Sequence, residues 1–272
     1  MPQRARYLVL GVVLAGIGAG GGSLPAAGQT QGLTAQEIVT RMAAKDQERQ
    51  AALERYGSQR TYRMEYRGPI GERKAEMLVR MDFSAPDRKR FTVLSESGST
   101  LFCHQILRRL MEGEQEGALE ENHRRSMLSV ANDDVKLVGE EQIGGVDAWV
   151  LDVTPKVADR FNYKGRVWVG VEDYAVVRIV GSPAKSPTWL MGSAEFDYRY
   201  GRGGEGEAAA FWLPQRNVTV SRLRIGGEIT LTVEYGTYEI VSRPGGVVGG
   251  SGALGAVAAN ASLGKGQGTG QP

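Results

Sequence analysis

The alternation of apolar and polar residues is cleanest between Lys74 and Phe83. Ala75, Met77, Val79, Met81 and Phe83 alternate there with Lys74, Glu76, Arg80 and Asp82, and Leu78 is the exception. Successive side chains of a strand point to opposite faces, so this segment predicts a strand with one apolar and one wet face. Met77, Val79, Met81 and Phe83 are expected to point to a concave, helix-covered side, and Lys74, Glu76 and Arg80 to solvent. The same period of two sets Tyr62, Met64 and Tyr66 against Arg63, Glu65 and Arg67, with a turn at Gly68-Pro69-Ile70-Gly71. Pro86-Asp87 turns the chain again, and Arg90 to Leu94, with Phe91, returns it.

Helical spacing occurs in two places. Leu33, Thr34, Glu37 and Ile38 form a capping box with a hydrophobic staple, which predicts a helix from Thr34 that extends loosely to Tyr56. Its apolar stripe is Ile38, Val39, Met42 and Ala43. Cys103, Ile106, Leu107, Leu110 and Met111 make the second stripe, within Leu101 to Met111. The charged run from Glu112 to Arg125 reads as a solvated face, and Met127, Leu128 and Val130 as one further short helix.

After Val135 strand follows strand: Val135 to Val138, Ala148 to Val153, Arg166 to Val171, Ala175 to Val180, Thr188 to Tyr200, Phe211 to Leu223 and Glu228 to Val241. Phe196 and Tyr198 share a face of the fifth of these. Ile229, Leu231 and Val233 share a face of the last. Roughly ten strands with short turns and few helices between them argue against a parallel sheet. They predict a mainly β fold, one large curved antiparallel sheet forming an incomplete β-barrel, with a few helices covering its concave face.

The N-terminus reads as an export signal over residues 1–28. Arg4 and Arg6 precede an apolar core from Tyr7 to Ile17, and Ala26-Ala27-Gly28 offers a small-x-small cleavage site before Gln29. The core is shorter than the roughly 18 residues that a membrane span needs. The expected mature chain is soluble, with a folded domain over 29–241. Residues 242–272 are Gly/Ala/Ser-rich and aperiodic, and read as a disordered tail.

Composition excludes several function classes. A net charge of +2 gives no basic field, so no nucleic-acid partner is expected. Cys103 is the single cysteine, so no internal disulfide forms. The 2 histidines, His104 and His123, fit no metal-ligand spacing, and neither a nucleophile elbow nor a phosphate-cradling loop is present. Asp133-Asp134 and Glu140-Glu141 read as exposed acids at turns. No catalytic residue, cofactor or metal is expected, and the chain is not expected to be an enzyme. What remains is the apolar concave face, rich in Met and aromatics, which suits an irregular apolar ligand.

Three stretches carry a family resemblance: Gly145 to Lys156; Gly165-Arg166-Val167-Trp168-Val169 followed by Glu172 to Ile179; and Phe211-Trp212-Leu213-Pro214 with Leu223 through Tyr238. In this order they resemble LolA-like outer-membrane lipoprotein-sorting proteins, over about Thr34 to Val241. The resemblance implies an incomplete β-barrel with a helical lid, whose cavity shields the acyl chains of a lipoprotein crossing the periplasm. Stress-sensing regulators share that fold. Gly170 stands where an acidic residue is common in such sequences. Ala85 precedes Pro86 where the best-known carrier has a basic residue that holds the lid, so that latch is not implied here.

The expected function is a periplasmic carrier or binding protein for lipids or lipoprotein acyl chains, contributing to outer-membrane lipoprotein sorting. An envelope membrane protein or lipoprotein receptor is an expected partner. The alternatives are a lipid-responsive sensor on the same fold and, behind it, a hydrolase with an unrecognised carboxylate pair. Expected cavity-lining residues are Tyr62, Met64, Tyr66, Met77, Val79, Met81, Phe83, Phe91, Phe196 and Tyr198. Expected lid residues are Ile38, Val39, Met42, Ile106, Leu107 and Leu110.

Overall fold

The capping box forms as its spacing requires. The Thr34 amide donates to Glu37 Oε2 at 2.8 Å, and the Glu37 amide donates to Thr34 Oγ1 at 3.2 Å. The helix so started, α1, spans Ala35–Ala52 in this computed structural model. The structure describes residues 32–159, 161–186, 188–243 and 252–253. The signal segment 1–28 and most of the tail lie outside the described residues.

The helix is shorter than expected. Leu53 and Tyr56 belong to the first strand, β1 (Leu53–Gly68), not to α1. An apolar pair three residues apart suits a helix stripe, but pairing with strands on both sides supplies this segment's backbone partners.

The other strands are β2 (Gly71–Ser84), β3 (Arg88–Gly98), β4 (Asp133–Ile143), β5 (Val146–Pro155), β6 (Tyr163–Gly170), β7 (Val176–Pro183), β8 (Met191–Arg202), β9 (Phe211–Leu223) and β10 (Glu228–Ser242). They pair antiparallel in the order β3-β2-β1-β10-β9-β8-β7-β6-β5-β4, so the sheet is an open half-barrel with β3 and β4 as its edges. Gly252–Ala253 adds a two-residue parallel pairing to Phe211 and Trp212.

The expected register of β2 holds. Met77, Val79 and Met81 are fully buried on the helix-covered side, Phe83 is half-buried, and Lys74 and Glu76 are exposed. Arg80 lies on the opposite face, where it pairs with Glu239 at 2.8 Å and Asp82 at 2.9 Å.

The second helical region is composite: α2 (Thr100–Phe102), a π-helical turn (Cys103–Leu107), α3 (Arg108–Ala118) and then α4 (Glu120–Ser126). Four expectations fail from here on. Met127 to Val130 is not helical. Its backbone instead closes a turn in which Asn132 Nδ2 donates to the Met127 carbonyl and the Ser129 amide to Asp133 Oδ2. Asp133 is therefore buried, not an exposed turn acid. The charged run is not wholly solvated either, because Glu114 is buried. Thr188 to Leu190 also precedes the strand that it was expected to open.

Three apolar clusters pack much of the covered face. Ile38, Val39 and Met42 of α1 share a cluster with Leu151, Val167, Val177 and Ile179 of β5 to β7. Phe102, Cys103, Leu107, Leu110 and Met111 pack on Tyr62, Met64, Met77 and Val79. Burying one such side chain contributes about 1.5–3 kcal/mol.

Candidate functional site

The covered face is not filled throughout. A cavity of about 210 Å³ lies between the second helical region and the sheet. Phe102, Ile106 and Leu110 face it from the helices at a spacing of four, while Cys103, Leu107 and Met111 belong to the packed stripe beside them. The π turn helps set these two stripes apart. From the sheet come Met64 and Tyr66 of β1, Ile229 and Leu231 of β10, and Met191 and Ala194 of β8.

Short side chains create the space. In its second half β9 turns Asn217, Thr219 and Ser221 inward, all buried, and Ala194 stands among the inward positions of β8. Period two puts these small residues on the face where β1 and β2 carry Tyr and Met. A helix spanning both regions cannot touch both floors, so a gap stays under Ile106 and Leu110. An apolar cavity near 150 Å³ already holds benzene-sized ligands. One of about 210 Å³ therefore takes a segment of an alkyl chain, but not a whole multi-chain lipid.

The inner end of the cavity is polar. Leu110, Thr219 and Leu231 border both it and a small neighbouring space that Tyr62, Tyr198, Asn217, Tyr235 and Glu114 enclose. Arg60 Nη1 donates to Glu114 Oε2 at 2.8 Å, and the Tyr62 hydroxyl donates to Glu114 Oε1 at 3.1 Å. The Arg60 guanidinium lies 4.7 Å from the Tyr235 ring centre and 5.7 Å from that of Phe91. Burial would raise the Glu114 carboxyl, but the charges of Arg60 and Lys89 and the two hydrogen bonds outweigh it and hold it below the usual range. Burial pushes Lys89 down, with its ammonium 3.9 Å from Glu114.

A second polar group ties α1 to the sheet. Arg49 is fully buried; it donates to Asp46 Oδ1 at 2.9 Å and to the Asp173 carbonyl. The Trp212 indole donates to Asp173 Oδ2 at 2.9 Å. Burial pushes the Asp46 carboxyl up to about 7 against the pull of Arg49.

Of the expected lining residues, Met64 and Tyr66 line the cavity, and Tyr62 and Tyr198 line the small space beyond it. Met77 and Val79 sit in the packed cluster beside it, and Phe91 borders that cluster. Met81 packs with Tyr56, Phe211 and Leu213, with Phe83 against that group. Phe196 stacks on Tyr198, with ring centres 4.5 Å apart. Of the expected lid residues, Ile106 and Leu110 face the cavity and Leu107 is packed beside it. Ile38, Val39 and Met42 cover the other half of the sheet.

Sequence reasoning did not single out Phe102, Ala194, Thr219, Ser221 or the loop residues Ile70, Leu190 and Ile225, all of which line the cavity. Period two marked Ile229 and Leu231 as one face of their strand. Nothing marked the small residues opposite them as the source of space.

Among the described residues, no helix is long and apolar enough to cross a membrane, and no group of acids, His and Cys is arranged to hold a metal ion.

No family model matches the chain, and no curated protein matches its sequence. Solved structures are similar to it. An outer-membrane lipoprotein-sorting protein domain from Vibrio parahaemolyticus has a TM-score of 0.41 at 13% identity, covering 78% of this chain and 93% of its own. A LolA superfamily protein from Nitrosomonas europaea has a TM-score of 0.32 at 14% identity, covering 78% of this chain and 96% of its own. A chain of the MucA/MucB complex of Pseudomonas aeruginosa has a TM-score of 0.23 at 11% identity, covering 77% and 99%.

Proposed function

We propose that this protein binds the acyl chain of a lipid or lipoprotein and carries it through the bacterial periplasm. The observation that supports the reading is the apolar cavity of about 210 Å³ under Phe102, Ile106 and Leu110. A filled half-barrel core needs no such space, whereas an acyl chain in water costs about 0.8 kcal/mol per CH₂. The cavity is too small for several chains at once, so a larger cargo requires the second helical region to lift from the sheet. Such lifting is a shift between closed and open forms, driven by the cargo's greater affinity for the open one.

Binding is tested by titrating the purified protein with a fluorescent fatty acid and by mass spectrometry of lipids co-purified with it. Saturable probe binding, displaced by an unlabelled fatty acid, is the expected result. Absence of both probe binding and co-purified lipid rejects the reading.

A further inference from the structure

The most exposed large apolar residues lie at one end of the sheet. Among the described residues, those more than 60% exposed are Ile70 at 68%, Leu101 at 64%, Val157 at 75%, Trp189 at 79% and Ile225 at 66%. Ile70 is in the β1–β2 turn, Leu101 follows β3, Val157 is in the β5–β6 loop, Trp189 in the β7–β8 loop and Ile225 in the β9–β10 turn. In an antiparallel meander these five connections share one end. The loops also touch. The Arg224 amide donates to the Leu190 carbonyl at 2.9 Å, and a Cβ on Gly226 would stand 3.1 Å from Pro69.

This end is the mouth of the cavity. Ile70 and Ile225 line it directly, and Trp189 stands between two lining residues, Thr188 and Leu190. Cations surround the apolar tips. Arg73, Lys185 and Arg224 are exposed and make no ion pair among the described residues. Arg67 and Arg222 are balanced by Glu72 at 3.7 Å and Glu228 at 3.5 Å. An exposed apolar patch of this kind marks a contact surface. Scattered aliphatic tips, one Trp and a ring of unpaired cations fit the boundary of a bilayer better than a shaped protein groove. Trp favours the headgroup level, and Lys and Arg meet anionic phosphates there.

We propose that this rim seats the mouth of the cavity on a bilayer surface containing anionic lipid, so that an acyl chain passes between membrane and cavity without crossing water. The docking surface extends the acyl-chain reading above, but it is measured separately from it. Trp189 is a built-in reporter, because the other three of the 4 tryptophans, Trp149, Trp168 and Trp212, are buried.

The full chain is mixed with vesicles of phosphatidylglycerol and phosphatidylcholine, and sedimentation and tryptophan emission are recorded. The wild type is expected to sediment with the vesicles and its emission to shift to the blue, both more weakly in high salt or on pure phosphatidylcholine. The triple variant Leu101→Ser, Val157→Ser, Trp189→Ser, which leaves the residues lining the cavity untouched, is expected to partition at least about tenfold less while still binding the fatty-acid probe. A wild type that stays in solution overturns the proposal, as does a triple variant that sediments like the wild type. Vesicle docking without probe binding upholds the rim and rejects the cavity reading instead.

Discussion

Arg60 on β1 and Glu114 on α3 stand 54 positions apart, and a buried hydrogen bond of 2.8 Å joins the floor of the half-barrel to its cover. Neither position is marked by periodicity. Arg60 shares the inward face with Tyr62, Met64 and Tyr66, where a charge is costly unless it is paired. Glu114 is that partner, and Tyr62 and Lys89 complete its surroundings. The pair fixes where the second helical region rests, and so fixes the inner limit of the cavity.

Removing one partner should be far worse than removing both. Glu114→Ala leaves the Arg60 guanidinium buried and uncompensated, which typically costs about 3–5 kcal/mol. The double variant Arg60→Met, Glu114→Leu should lie within about 1 kcal/mol of wild type or above it. Urea unfolding of the three proteins checks this. A single variant as stable as the double one would mean that the pair is wetter than its geometry shows.

Filling the cavity should separate binding from stability. Ala194→Phe directs a large apolar side chain into existing space, so the cost of overpacking stays below about 1.5 kcal/mol while the fatty-acid probe is excluded. Met77→Asp behaves differently. Met77 is fully buried beside the cavity, and a carboxylate there should unfold the protein. Circular dichroism melts alongside probe titration distinguish the two. Normal probe affinity in Ala194→Phe would place the ligand elsewhere.

The pH dependence of stability should carry the signature of Asp46. Its carboxyl is raised from an ordinary 3.8 to about 7 by burial. The folded state thus binds the extra proton between these values, and stability from this group falls as pH rises through that window. Glu114 works in the opposite sense, since its folded carboxyl is lowered and its contribution is lost as pH falls. Asp46→Asn removes only the first effect. Thermal midpoints between pH 5 and pH 8 should therefore decline less steeply in the variant than in wild type. Parallel profiles would refute the assignment.

Gly98 ends β3 just before the second helical region, with φ at +84°. A Cβ there would stand 2.3 Å from the Lys74 carbonyl oxygen. Gly98→Ala should cost about 1–3 kcal/mol through strain and the clash. Gly139→Ala, which meets nothing within 4 Å, is the control and should be close to neutral in the same unfolding assay.

Local information in the chain was enough for the strands, the start of α1 and the register of β2. Period two and the capping box act over a few residues, so Met77, Val79 and Met81 could be placed inward and Lys74 and Glu76 outward from the sequence alone. The end of α1 was not legible in the same way. Leu53 and Tyr56 suit a helix stripe as well as a strand, and only pairing with β2 and β10 decides between them.

The cavity belonged to the tertiary structure. Large apolar residues marked the inward face correctly, but Met77, Val79 and Met81 are packed against neighbours, and space opens where the inward residues are small. Ala194, Thr219 and Ser221 signal nothing by themselves. Their meaning depends on facing Ile106 and Leu110, which lie about a hundred positions away in the chain and come opposite them only when the sheet curves and the helices cover it. The buried charge of Glu114 is the same kind of fact. In sequence it sits in a polar run, and its burial follows from Arg60 being carried to the inward face of another element.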